Sequence, residues 1–138
     1  MDILKRSFIE VMRMTIGMEP HPCTTPLENG YLSSIKLDDT SIYILASKPL
    51  LLLLAKSLLF EDTPTEEVLQ DLTKELANLI IGKAKILSQE AGKDPSISIP
   101  LFHEQITKRD SAQTKLKGLE ELHFALGEDA ICTISTKG

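Results

Sequence analysis

Six small or polar residues recur at helical spacing in the middle of the chain and are the strongest candidates for a functional surface. They follow one another at steps of four, three, four, three and four positions: Asp71, Glu75, Asn78, Gly82, Lys85 and Gln89. At 100° per residue, these positions share one stripe of a helix, roughly 80° wide. A carboxylate, an amide and an ammonium group on one face can bind another molecule through hydrogen bonds and charge pairing.

Two members of this polar stripe are poor helix formers. Asn in a helix interior is disfavoured by about 0.7 kcal/mol or less, and Gly by about 1 kcal/mol, relative to Ala. A face filled only for solubility would carry Lys, Gln or Glu, so Asn78 and Gly82 favour a contact surface, where a glycine lets another backbone approach closely. The alternative is a plain solvated face, because polar residues at this spacing are expected on any exposed helix.

Composition excludes several classes of protein. The chain has 138 residues, 42% of them hydrophobic and 25% charged, which predicts one globular domain spanning residues 1–138. The net charge of −5 opposes nucleic-acid binding. The chain has no Walker loop, GxSxG, HExxH or CxxC motif, and His21, His103 and His123 are scattered. We therefore expect no metal site and no cofactor of its own.

The sequence also indicates a cytoplasmic protein. Cys23 and Cys132 form no CxxC pair, which is typical of a reducing compartment. The N-terminal run is broken by charges, unlike a secretory signal. The strongest apolar run, Leu50 to Ala55, is far shorter than the ~20 residues that a spanning helix needs. We expect no membrane association.

The elements that must position the stripe are predicted from periodicity and turn residues. A helix is expected over residues 2–16, an irregular loop up to Gly30, and a hairpin of residues 31–37 and 41–46 around Asp38-Asp39. Pro49 opens a short, largely apolar helix to Phe60, which we expect in the core. The segment TPTE (63–66) reads as a capping box with Thr63 as N-cap and Glu66 at the third position.

The long helix after this box can run to Gly92, about 28 residues and roughly 42 Å. Its buried face is predicted from five apolar residues: Val68, Leu72, Leu76, Leu79 and Ile80. A strand follows around residues 97–101, a polar connection outside the core spans residues 103–118, and two strands flank Gly127 at residues 122–126 and 130–136. The order predicts an α+β fold in which an antiparallel sheet packs with one long helix, an N-terminal helix and a short helix.

The stripe and its surroundings resemble a known family. The stretch ELANLIIGKAK (75–85) is similar to the ExxNxxxGxxK helix of the CheC/CheX/FliY phosphatases of bacterial chemotaxis, and Asp71 matches an acidic or small residue four positions before the Glu. The segments FIEVMRMTIGMEP (8–20), KPLLLLLAKSLLF (48–60) and DPSISIPLF (94–102) look like the family's first helix, short helix and following strand.

The resemblance implies a phosphatase that acts on the aspartyl phosphate of a CheY-like response-regulator receiver. Glu75 would pair with the receiver's lysine, and Asn78 would hold the attacking water in line with phosphorus. Asp71, Gly82 and Lys85 would contact the receiver, which carries its own Mg²⁺. Phosphoryl transfer depends mainly on positioning and charge stabilisation, so an amide can serve without covalent chemistry.

The chain looks most like the CheX branch of this family. CheC-like members resemble a duplication with two ExxN helices, whereas the first helix here has Glu10 followed by Arg13 and no Asn. The resemblance therefore implies one site per subunit and a homodimer that extends a sheet across two subunits. The alternative function is a non-catalytic adaptor that binds a receiver or a flagellar switch protein.

Overall fold

A six-stranded antiparallel sheet forms one layer of the fold. The computed structural model describes residues 2–24, 27–107, 116 and 118–136. The strands are β1 (His21–Pro22), β2 (Gly30–Leu37), β3 (Thr40–Ala46), β4 (Leu101–Ile106), β5 (Glu120–Leu126) and β6 (Ala130–Thr136). They are hydrogen-bonded in the order β1-β5-β6-β3-β2-β4, with every neighbouring pair antiparallel.

Three α-helices form the second layer, and their bounds are α1 (Asp2–Thr15), α2 (Lys48–Leu54) and α3 (Glu66–Glu90). Their apolar faces share one core with alternate residues of the sheet, such as Ile42 and Ile44 of β3. Phe8 of α1 stacks on Phe124 of β5 with ring centroids 4.6 Å apart. This arrangement confirms the predicted α+β class with an antiparallel sheet, a long helix, an N-terminal helix and a short helix.

The start of α3 lies two residues later than predicted. Thr65, not Thr63, is the N-cap, because its backbone is extended and its Oγ1 accepts a hydrogen bond from Val68 N at 3.3 Å. Glu66 is therefore the first helical residue, and its carboxylate accepts a hydrogen bond from the Tyr31 hydroxyl at 2.6 Å. At the first helical position, the carboxylate of Glu66 is favoured by the helix dipole. The predicted capping box is wrong, because it needs Thr63 as N-cap and Glu66 at the third helical position.

The end of α3 agrees closely with the sequence. The helix ends at Glu90, and Gly92 adopts a φ of 85°, which a glycine accommodates without strain. The 25 residues of α3 correspond to a length of about 37 Å at 1.5 Å per residue.

The segment after α2 departs from the predicted buried helix. Ser47 caps α2, and Leu50, Leu51 and Leu54 are buried as expected. From Ala55 to Leu59 the chain forms a π-helical turn, and Phe60 ends it with a left-handed φ of 55°. The wider turn accommodates an extra residue, so the last side chains of this run point outward instead of into the core.

Two predictions near the sheet edges are also wrong. The strand expected around residues 97–101 lies instead at residues 101–106, as β4. Ile97 makes only an isolated bridge to Leu37, and Pro100 has no N–H to donate to a neighbouring strand. Strand β4 thus includes the start of the connection predicted at 103–118. The loop predicted before Gly30 contains β1, which pairs with β5. Residues 25–26, 108–115 and 117 of these predicted segments lie outside the described residues.

None of the described helices has the length and apolar character that crossing a membrane requires.

Candidate functional site on helix α3

The outer face of α3 carries the polar stripe predicted from the sequence. Asp71, Glu75 and Asn78 are exposed, and Gly82 and Lys85 are partly exposed. Glu75 and Asn78 lie on successive turns, which places their Cβ atoms roughly 5–6 Å apart. Neither side chain makes a hydrogen bond or ion pair with another residue in the described part of the chain. Both functional groups are therefore available to another molecule from the same direction.

The opposite face of α3 fixes the orientation of this pair. Leu76, Ala77 and Ile80 are fully buried directly behind it. The Ser33 hydroxyl of β2 donates a hydrogen bond to the carbonyl oxygen of Thr73 at 3.4 Å, two residues before Glu75. Because buried apolar residues and a sheet contact hold the helix from behind, α3 cannot rotate without losing core packing.

Two apolar grooves adjoin the stripe on the same side of α3, one along its N-terminal half and one along its C-terminal half. The groove toward the π-helical turn is lined by Leu58, Leu59, Val68, Asp71, Leu72 and Glu75. The groove toward α1 is lined by Val11, Met14, Thr15, Asn78, Leu79, Gly82, Lys83 and Ile86. Glu75 lines the first groove and Asn78 the second, so the pair lies between them. This arrangement suits contact with a protein domain rather than with a small molecule.

Sequence reasoning did not identify these grooves as functional surfaces. Leu59 was assigned to the core but is 49% exposed. Val68 and Leu79 were assigned to the buried face of α3, but both are only partly buried and line the grooves. For Met14, which is 77% exposed, the sequence did hold a signal, because its position does not share the helical spacing of the residues at 4, 8, 11, 12 and 15. No comparable signal marked the π-helical turn.

Charge differs along the stripe. Asp71 is paired with Lys74 at 3.4 Å, and both side chains are largely accessible. Toward the other end, Lys83 forms an ion pair with Glu10 of α1 at 3.2 Å, which links the two helices beside Asn78. The stripe therefore runs from an acidic half around Asp71 and Glu75 to a half that carries Lys85, with the Lys83–Glu10 ion pair beside it.

Gly82 is not required by the packing of this chain. A Cβ atom built at Gly82 meets no heavy atom within 4 Å outside its own helix neighbourhood. Its φ is not in the left-handed region either, unlike that of Gly92. The absence of a side chain at Gly82 keeps the surface beside Asn78 low, which suits close approach of another backbone.

The predicted absence of a metal site remains an expectation. Within residues 2–24, 27–107, 116 and 118–136, no three His, Cys, Asp or Glu side chains cluster as metal ligands would. His103 contacts the Ser34 hydroxyl at 2.6 Å, and His123 contacts the Thr133 hydroxyl at 2.8 Å. Burial raises the pKa of the Cys132 thiol, as expected of a core cysteine.

An antiparallel sheet packed against a long, an N-terminal and a short helix is the α+β fold of CheC-like proteins. The sequence matches the family model for the chemotaxis phosphatase CheX over residues 35–123, a segment that includes all of α3. The chain belongs to the CheX family.

Solved structures agree with this assignment at the level of the fold. The CheX chemotaxis protein from Vibrio vulnificus superposes with a TM-score of 0.73 at 20% identity, covering 99% of this chain and 93% of that one. A CheX–CheY–BeF₃–Mg²⁺ complex from Borrelia burgdorferi gives 0.71 at 20% identity, with 99% and 95% covered. A CheC-like superfamily protein from Shewanella sp. PV-4 gives 0.63 at 22% identity, with 99% and 96% covered. No curated protein matches the sequence.

Proposed function

We propose that this chain is a phosphatase for the aspartyl phosphate of a CheY-like receiver, with Glu75 and Asn78 as its catalytic pair. The observation that carries the proposal is the placement of both side chains, exposed and one turn apart, on a helix whose opposite face is locked in the core. Membership of a chemotaxis phosphatase family supports the reaction, and the CheX–CheY complex from Borrelia burgdorferi supports the substrate class.

In this mechanism Asn78 orients the water that attacks phosphorus. Its amide has both a donor and an acceptor, so it can hold a water molecule in one orientation without changing charge. Fixing the water in line with the bond that breaks replaces a random encounter by a positioned attack, which lowers the entropic part of the barrier. The water oxygen bonds to phosphorus, the phosphorus–oxygen bond to the receiver aspartate breaks, and inorganic phosphate leaves.

Glu75 would pair with the receiver's active-site lysine. A carboxylate and an ammonium group form a charge-assisted hydrogen bond, and this bond fixes the receiver relative to Asn78. Asp71, Gly82 and Lys85 would contact the receiver along the rest of the stripe. The Mg²⁺ that stabilises the phosphoryl group would be the receiver's, so this chain would need no cofactor of its own.

The assembly and location belong to the same proposal. We infer a homodimer of single-domain subunits that works in the cytoplasm, where it meets its receiver. Among the described strands, β4 lies at one edge of the sheet with no strand beyond it, so it could pair with a second copy. Sedimentation velocity on the full chain would give twice the monomer mass if this inference holds.

Phosphate release from a phosphorylated CheY-like receiver tests the function directly. We expect wild-type protein to accelerate release, Asn78→Ala to lower the stimulated rate on the order of 100-fold with little loss of binding, and Glu75→Ala to weaken both. Glu90→Ala removes the same charge from an exposed position near the end of α3 and should retain wild-type activity. Tight binding without faster release would instead select the non-catalytic adaptor.

A further inference from the structure

Three consecutive apolar side chains at the end of the π-helical turn are exposed, and packing within the described part of the chain does not explain them. Leu58, Leu59 and Phe60, here named the 58–60 patch, are 38%, 49% and 91% exposed. The apolar residues that precede them in α2 are mostly buried, as Leu50, Leu51 and Leu54 are. Contiguous exposed apolar side chains on a folded protein commonly mark an interaction site.

The backbone of the 58–60 patch is unusual as well. Residues 55–59 form a π-helical turn, a conformation often found at functional sites. Phe60 has a φ of 55°, a region that bulky residues rarely occupy. The turn is tied back by the hydrogen bond from Glu61 N to the carbonyl oxygen of Ala55 at 3.2 Å. The fold therefore holds an aromatic ring in solvent through an uncommon but hydrogen-bonded backbone.

Two residues of the 58–60 patch adjoin Glu75 of the proposed catalytic pair. Leu58 and Leu59 line one groove of about 470 Å³ together with Asp71 and Glu75. This volume lies within the range of sites that accept inserted groups. A protein domain that reaches Glu75 must therefore cover the same groove, because Glu75 lines it together with the two leucines.

Charge around the groove indicates what kind of surface would cover it. Glu61, Asp62 and Glu67 are exposed close to the patch in sequence, and Asp71 and Glu75 line the groove itself. Lys56 is the one exposed basic residue on the π-helical turn. An acidic rim around an apolar centre is complementary to a partner that presents apolar side chains beside lysine or arginine.

We propose that the 58–60 patch is a docking site for the receiver, in which Phe60 and the Leu58–Leu59 groove bind apolar side chains on the basic face next to the receiver's active-site lysine. The identity of this partner rests on the proposed function. The patch determines affinity and receiver choice, whereas Asn78 determines turnover.

Binding and turnover measured on the same variants test this docking site. CheY-like receivers loaded with BeF₃⁻ and Mg²⁺ are titrated with full-length wild type, Phe60→Ala, Leu59→Ala and Ile99→Ala. We expect Phe60→Ala to raise Kd about 30-fold, which corresponds to about 2 kcal/mol at 1.4 kcal/mol per tenfold, as for an aromatic interface anchor. Its KM for phosphorylated receiver should rise similarly while kcat is unchanged. Ile99 is 82% exposed but lies outside both grooves, so Ile99→Ala should bind like wild type.

The results separate the two proposals. Unchanged Kd for Phe60→Ala and Leu59→Ala, or no receiver bound by wild type, overturns the docking site. A change in the sedimentation of Phe60→Ala alone, with unchanged receiver affinity, also overturns it, because a second copy then covers the patch. Weaker binding by Phe60→Ala together with unaltered phosphate release by Asn78→Ala supports the docking site and removes the proposed phosphatase mechanism.

Discussion

Replacing Gly82 by Ala should stabilise this protein and at the same time impair its contact with the receiver. The position lies inside α3, where Gly costs about 0.8–1 kcal/mol relative to Ala. A Cβ atom there meets no neighbour within 4 Å, so no steric term offsets this gain. We therefore expect the free energy of unfolding to rise by about 1 kcal/mol, which for a domain of this size corresponds to roughly 4 °C in Tm.

The effect on activity should have the opposite sign. Gly82 lies one turn from Asn78, and both line the groove toward α1. If the receiver backbone approaches this low surface, a methyl group will separate the two proteins, and a larger side chain will separate them further. The series Gly82→Ala and Gly82→Gln should thus show rising KM for phosphorylated receiver, with both variants more stable than wild type.

Urea unfolding and phosphate release on the same preparations measure both effects. Increased stability with unchanged KM in both variants would refute the contact at Gly82, since the glycine would then have neither a structural nor a binding role. Decreased stability would refute the structural part of the reasoning, because it would mean that the space around Gly82 is not open.

Three further predictions concern the elements that hold the site. Thr65→Ala should lower the free energy of unfolding by about 1 kcal/mol, because it removes the N-cap of α3. Thr63→Ala is the control and should have almost no effect. Equal effects of the two substitutions in urea titrations would contradict the assigned start of α3. Ser33→Ala should cost about 0.5–1 kcal/mol, measured in the same way, because it removes a buried hydrogen bond to α3; an unchanged unfolding midpoint would argue against that contact. Burial and the hydrogen bond to Glu66 raise the pKa of Tyr31 to about 12. Since the folded state favours the protonated phenol, stability should fall as pH rises from about 10 toward 12, and Tyr31→Phe should flatten that fall in unfolding midpoints compared across this range.

The sequence predicted those parts of the fold in which local pattern and tertiary structure agree. The 3.6-residue periodicity of α1 and α3 and the alternation in β5 reflect burial against the core, so they identify these elements correctly. The start of α3 was misplaced because Thr63 and Thr65 are equally suitable caps locally. The helix begins after Thr65, and its first residue, Glu66, accepts a hydrogen bond from Tyr31. This contact joins residues far apart in sequence, so local pattern does not reveal it.

The other errors have the same origin in long-range contacts. Strand β4 contains polar residues such as Glu104 and Gln105, and an edge strand tolerates them because only β2 pairs with it. The π-helical turn has no reliable signature in a leucine-rich run. Its outward-facing residues could not be separated from core residues by hydrophobicity alone.

The exposure of the candidate site, though not its function, could be predicted from helical periodicity. The predicted polar stripe lies on the outer face of α3, where Glu75 and Asn78 are exposed one turn apart. The roles of these residues came from the family resemblance rather than from periodicity, and they remain proposals. The two grooves could not be predicted, because each forms where α3 packs beside a different element and depends on tertiary structure.

Single-turnover loss of phosphate from a receiver labelled on its aspartate, with Asn78→Ala compared against wild type at saturating protein, tests the central claim most directly. We predict that wild type shortens the lifetime of the acyl phosphate and that the variant binds the receiver normally yet slows stimulated hydrolysis on the order of 100-fold. Equal rates for the two proteins, or a lifetime no shorter than that of the receiver alone, would contradict the account.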